Sequence, residues 1–181
     1  AQAEGRSRTG IDAVRALLLT GCRRNEILAL PWTWFDPNAR CIRFADSKSG
    51  EQIRPLGLAA VDVLSSRPAL NHWVFPSSKG EGHFIGIARV LRDLCERACL
   101  SDVSAHTLRH TFGSIAAEIG FSEITIAGLL GHASRGVTQR YSHVPDAALL
   151  AAADRVSTRI AVALTGKQAA QVLPIQRREA G

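Results

Sequence analysis

The chain is 181 residues long and 46% apolar, with a formal net charge of +6 and a pI near 9.8. That is enough apolar material for one substantial core. No run of about 18 apolar residues is present to cross a bilayer as a helix, and the opening AQAEGRSRTG lacks the apolar segment of a secretory signal. The basic balance points to an acidic partner such as nucleic acid. Of the 22 basic residues three are lysines (Lys48, Lys79, Lys167) and 19 are arginines. Arginine's planar fork matches phosphate oxygens bidentately. Methionine is absent, so a processed protein or a piece of a longer one is expected. Cys22, Cys41, Cys95 and Cys99 show neither a CxxC pair nor metal-finger spacing. Cys95 and Cys99, beside Leu91 and Leu94, read as small buried hydrophobes, which suits a reducing, cytoplasmic compartment.

In chain order, residues 1–10 read as a linker, 11–165 as one folded unit and 166–181 as a flexible tail. Ile11–Leu19 is helical by composition and stops at Thr20-Gly21. A second short helix follows, with Ile27, Leu28 and Leu30 apolar. From Trp32 to Leu58 the pattern changes to strands and turns: DPNA, the alternating RCIRFA, the polar turn DSKSGEQ, then IRPLGL. Three short antiparallel strands account for it. Helices are predicted at about Leu58–Ser66, about Phe84–Cys99 and Ala105–Ile119. The last is capped by Ser104, ended by Gly120, and carries a core stripe of Leu108, Phe112, Ile115 and Ile119. Ser122 caps a further helix that Gly131 stops, and Pro145 opens a long Ala/Leu helix to about Leu164. The expected class is α+β, mainly α, with a small three-stranded antiparallel sheet near the N-terminal third.

Tyr141 is the single tyrosine, nine residues after His132. A free phenol has a pKa near 10, so roughly one in a thousand is ionised at pH 7, a deficit of about 4 kcal/mol for a nucleophile. Attack on a phosphodiester also gathers charge on the non-bridging oxygens and leaves a sugar oxygen needing a proton. Without a metal, fixed cations and donors must meet both demands, and arginines suit the oxygens while histidine or lysine suits the protons. HTLRH places His106 and Arg109 three apart on one helical face, with His110 next. His106 lies in the first turn, where free backbone N–H groups favour a phosphate. Arg23 opens the short helix with Glu26 at i+3 able to orient it, whereas Arg24 does not share that face. Lys48 sits at the tip of the predicted hairpin. Each of these alone is more often structural, and His143 reads as structural.

Their order and spacing together are specific. TG-x-R-xx-E, a hairpin lysine, H-xx-R-H, LGH and a tyrosine nine residues on resemble the tyrosine recombinases, the phage integrase family, over about Ile11–Val144. The resemblance implies a helical catalytic domain in which Tyr141 forms a 3′-phosphotyrosine link and releases a 5′-hydroxyl. It implies that Arg23 and Arg109 clamp the non-bridging oxygens and that Lys48 protonates the leaving oxygen. His106 would assist proton transfer at the tyrosine, His132 would hydrogen-bond the phosphate, Glu26 would support the site and His110 would pack behind it. It further implies no cofactor or metal, double-stranded DNA as partner, a homo-oligomeric (tetrameric) synapse on DNA, accessory DNA-bending proteins in some systems, and a cytoplasmic, nucleoid-associated location. Family members usually add an N-terminal helical domain, for which 181 residues leave no room. The Ala/Leu helix would either dock on a neighbouring protomer or pack on its own domain. Two other readings share parts of the pattern. A helix-turn-helix over Ala117–Leu130 without chemistry would explain the charge but not Arg23, Lys48, His132 and Tyr141. A type IB topoisomerase would use nearly the same chemistry for relaxation.

Overall fold

Ala13, Ala16 and Leu17, spaced i, i+3 and i+4, give the first helix one fully buried face. This helix, α1 (Arg8–Thr20), therefore serves as the hub against which five others pack. The computed structural model describes residues 8–44, 52–131 and 146–166. The helix starts at Arg8, three residues before Ile11, so Arg8, Thr9 and Gly10 are helical and not part of a linker. Its Asp12 receives the Arg67 guanidinium at 2.7 Å, an ion pair enclosed on both sides. Thr20 returns its hydroxyl to the Ala16 carbonyl at 2.7 Å, and Gly21, at φ +61°, turns the chain out of the helix.

Next come the short α2 (Arg24–Leu28), a 3-10 turn at Trp32–Trp34, and the strands β1 (Phe35–Asp36), β2 (Cys41–Phe44) and β3 (Gln52–Pro55). The sheet has the order β1-β2-β3 and is antiparallel throughout, as expected. Ile42 faces Arg54 and Phe44 faces Gln52 across the strands. Ile42 and Phe44 point into the core.

Helix α3 (Leu58–Ser65) follows, then α4 (Ile87–Ala98). α4 begins three residues later than the predicted Phe84, because Phe84 is held in extended pairing with Phe75 and Gly86 caps the helix. The cysteine expectation needs correction here. The buried face of α4 ends with Ile87 and Leu91, so Cys95 is only half-buried. Cys99 sits exposed as the left-handed C-cap, at φ +52°. Cys22 and Cys41 are the buried thiols, and all four are free.

α5 (Ala105–Glu118) is capped by Ser104, whose Oγ accepts from the Thr107 N–H at 3.2 Å. It buries Leu108, Phe112 and Ala116, with Ile115 and Ile119 against the core edge. α6 (Glu123–Leu130) starts at Ser122 and ends at Gly131 in the left-handed region. α7 (Ala147–Leu164) is opened by Asp146, which accepts from the Ala148 N–H. Its Ala152, Ala153, Val156 and Ile160 are buried on this chain's own α1, α3, α5 and α6. The long C-terminal helix thus packs on its own domain. Asp154 fastens it to Arg40 at 2.6 Å and to the N-terminus of α3 at 2.8 Å. No helix among the described residues is long and apolar enough to cross a membrane. The residues expected to supply Lys48, His132, Tyr141 and His143 lie outside the described ones.

Candidate active site

The site is built where the loop after α1, the first turns of α5 and the end of α6 meet. Gly21 makes this junction: a Cβ added there would lie 2.7 Å from the Phe112 ring and 3.0 Å from Leu130. Its positive φ and its close approach both require glycine. The backbone so turned delivers Cys22 to the core and Arg23 to the surface.

Arg23 is fastened twice to one carboxylate. Its backbone N–H donates to Glu26 Oε2 at 2.8 Å, and its guanidinium Nη1 donates to Glu26 Oε1 at 2.8 Å. The i+3 spacing read from the sequence thus brings the carboxylate onto both the backbone and the guanidinium of Arg23. Arg24 instead turns its Nε to the Asn25 side chain. Burial pushes the Glu26 carboxyl up, but the Arg54 charge and the Arg23 backbone and side-chain bonds outweigh it, leaving the pKa below the ordinary carboxylate value.

Arg109 comes from the second turn of α5 and is almost fully buried. Nη1 donates to the Gly21 carbonyl at 2.6 Å and Nη2 to the Leu130 carbonyl at 2.9 Å. The guanidinium so ties the loop carrying Arg23 to the end of α6, after which His132 follows in the sequence. Burial first, then the nearby charges of Arg23 and Arg54, pull its pKa down. An arginine starts so high that it stays protonated at neutral pH. His106 and His110 are both exposed, with Nε2 atoms 2.8 Å apart and rings edge to face. One of the two must present a bare nitrogen to the other's N–H, so the pair is suited to passing a proton. His110 does not pack under the site; it lies in solvent against His106, because α5 buries Leu108, Arg109 and Phe112 and leaves position 110 on the outer face.

Arg23, Arg24, Ala105, His106 and Arg109 together line one concavity of about 330 Å³. The two arginines expected to clamp a phosphate thus open on the same hollow, with His106 at its rim. Arg24, set aside in the sequence because it cannot pair with Glu26, also reaches this lining. A larger hollow of about 460 Å³ lies elsewhere, between Ile119 and the α7 residues Asp154, Arg155 and Arg159, and carries none of the expected site residues.

One participant had no signal in the sequence pattern. Arg54, at an inward position of β3, is completely buried, with Nη2 3.5 Å from Glu26 Oε1. Around Glu26 the described residues thus gather three guanidiniums and one carboxylate, an excess of positive charge beside the hollow. The same neighbourhood holds Cys22, whose thiol is pushed up by burial more than the arginines pull it down.

Comparison with known proteins agrees with this architecture. The family model described as the phage integrase family matches residues 6–148, and the chain belongs to that family. Tyrosine recombinase XerD of Rhizobium meliloti (strain 1021) is 32% identical over 164 residues, covering 79% of this chain and 53% of that protein. Among solved structures, the integrase from mycobacterium phage Brujita superposes with a TM-score of 0.68 at 25% identity, over 85% of this chain and 54% of that one. XerA recombinase gives 0.59 at 26% identity, over 92% of this chain and 60% of its own. The chain spans about half the length of the curated relatives it matches.

Proposed function

We propose that this chain is the catalytic part of a site-specific DNA recombinase or integrase, which breaks and rejoins strands through a covalent tyrosyl phosphate. The observation that carries the reading is that Arg23 and Arg109, remote in sequence, line one basic hollow together with His106. Family membership supports the rest. The phosphate would sit in the hollow with its non-bridging oxygens on the two guanidiniums. These stay charged and are held before the substrate arrives, so they stabilise developing charge with little reorganisation.

In this reading the Tyr141 oxygen attacks phosphorus, giving its proton to His106, and the bond from phosphorus to the 5′-oxygen breaks. Lys48 gives the leaving oxygen its proton and His132 donates to a phosphate oxygen. The phosphodiester bond energy is kept in the tyrosyl link, so the same groups run the reverse step onto another 5′-hydroxyl. Glu26 aims Arg23, and His110 holds the tautomer of His106. Double-stranded DNA is the partner, with a homo-tetrameric synapse, accessory bending proteins and nucleoid association as the finer expectations. A folded unit that begins with Arg8 and runs to 165, followed by a tail over 166–181, is the corresponding domain proposal.

The test begins by selecting bound duplexes from a random-sequence library to obtain a site. A nicked suicide version of that duplex should trap a covalent adduct that survives denaturation and is lost in Tyr141→Phe. Arg23→Ala should reduce cleavage by about 100–1,000-fold, as removal of one oxyanion donor does elsewhere. Persistence of the adduct in Tyr141→Phe would refute the nucleophile. Relaxation of supercoiled plasmid without the site, and no strand exchange with it, would make the protein a topoisomerase instead.

A further inference from the structure

Arg54 is the largest fully buried side chain among the described residues. It faces Ile42 across the sheet, and its guanidinium carbon lies 5.8 Å from the centre of the Phe44 ring. None of its three side-chain nitrogens makes a hydrogen bond with a described residue, and its near anion is Glu26, at 3.5 Å. The Gly131 backbone lies so close that a Cβ there would collide with the guanidinium. This is an expensive arrangement. Burying a charge costs several kcal/mol even after relaxation, and a buried donor left unbonded costs about 1–3 kcal/mol more. A strand needing only an inward core residue at this place is better served by Val or Ile. What distinguishes Arg54 from such a residue is its neighbours: Glu26, which aims Arg23, and the turn at Gly131, which precedes His132. In the sequence, Lys48 falls between β2 and the strand that carries Arg54.

We propose that Arg54 is a positioning residue for strand cleavage: wedged between Glu26 and the Gly131 backbone, it fixes both the carboxylate that aims Arg23 and the turn leading to His132. The inference rests on the recombinase reading above. It adds a third guanidinium that never touches the DNA but sets where the phosphate-binding groups stand.

The experiment uses the full chain, the nicked suicide duplex and four variants: Arg54→Met, Arg54→Gln, Arg54→Lys and Tyr141→Phe. Removing the charge in Arg54→Met or Arg54→Gln should slow single-turnover cleavage by about 10–100-fold, as a misplacement of the order of 1 Å does. The dissociation constant for the same duplex should stay within about threefold, since no phosphate contact is lost. Arg54→Lys restores a charge facing Glu26 and should recover most of the rate. The pH profile supplies a readout that a merely structural role would not move. The groups facing Glu26 are Arg23, Arg54, Arg109 and the thiol of Cys22. With Arg54 neutralised, burial acts on the carboxyl less opposed, and the acid limb of cleavage should move to higher pH. Folded Arg54→Met cleaving within about twofold of the parent would overturn the proposal, as would a loss of cleavage that follows DNA affinity alone. If Arg54→Met does not fold, Arg54→Gln decides by the same criteria. A parent chain that yields a Tyr141-dependent adduct while Arg54→Met matches it sinks this inference and leaves the recombinase reading standing. A parent that yields none overturns both.

Discussion

Glu26 offers the sharpest test of what holds the site together. Its carboxylate meets Arg23 at 2.8 Å and Arg54 at 3.5 Å. Distance favours Arg23 as the stronger partner, but screening favours Arg54. The Arg23 side chain is 53% exposed, and an ion pair that open to water contributes at most about 1 kcal/mol. The Arg54 side chain is 0% exposed, and removing the partner of a buried charge costs about 3–5 kcal/mol. Glu26→Ala should therefore destabilise the fold by about 3 kcal/mol, most of it through Arg54. For a chain of this size that lowers Tm by roughly 6–12 °C. A double-mutant cycle in denaturant should give a Glu26–Arg54 coupling of about 2 kcal/mol or more and a Glu26–Arg23 coupling below about 1 kcal/mol. The carboxyl is held below its ordinary value of 4.5, so its contribution is complete above that pH and is lost as pH falls through the lowered folded value. The gap between Glu26→Ala and the parent should accordingly close on strong acidification. A Glu26–Arg23 coupling larger than the Glu26–Arg54 one would refute the argument that burial, not distance, decides this pair.

Other expectations follow from the same geometry. Gly21→Ala must place a Cβ against Phe112 and Leu130 at positive φ, and should cost about 2–4 kcal/mol in chemical denaturation from backbone strain and overpacking together. Ser104→Ala removes the acceptor for the Thr107 N–H and should cost about 1 kcal/mol, a Tm loss of roughly 2–4 °C. In the native protein a maleimide should label Cys99 rapidly and Cys22 only after unfolding, since Cys22 is buried with its thiol pushed up. Mass mapping of the labelled peptides checks this.

Much of the fold was legible because its ends are written locally. Ser104, Ser122 and Gly131 cap or stop helices where their side chains and φ values require it, and α5 and α6 begin as expected. The pairing of Arg23 with Glu26 and the sharing of a face by His106 and Arg109 are likewise properties of one helical turn. What escaped is what tertiary packing decides. Arg54 carries no local sign of burial, since its inward direction follows from the cross-strand register with Ile42, which the hairpin sets. Cys95 and Cys99 have the right spacing for a buried face, but the core ends at Leu91. Arg24 fails the pairing argument yet reaches the hollow, because the start of α2 and the start of α5 border the same concavity.

Arg109 bonds the carbonyls of Gly21 and Leu130 at once, and this makes it a rivet whatever it does to a phosphate. Two stretches of chain far apart in sequence are held at one bolt, so neither can breathe alone without first surrendering a short, buried, charge-assisted bond. Amide exchange at the two joined segments should proceed in step and slowly, marking them as one cooperative piece. Anyone substituting this arginine to probe catalysis will also be loosening the frame, and must weigh lost rate against lost rigidity.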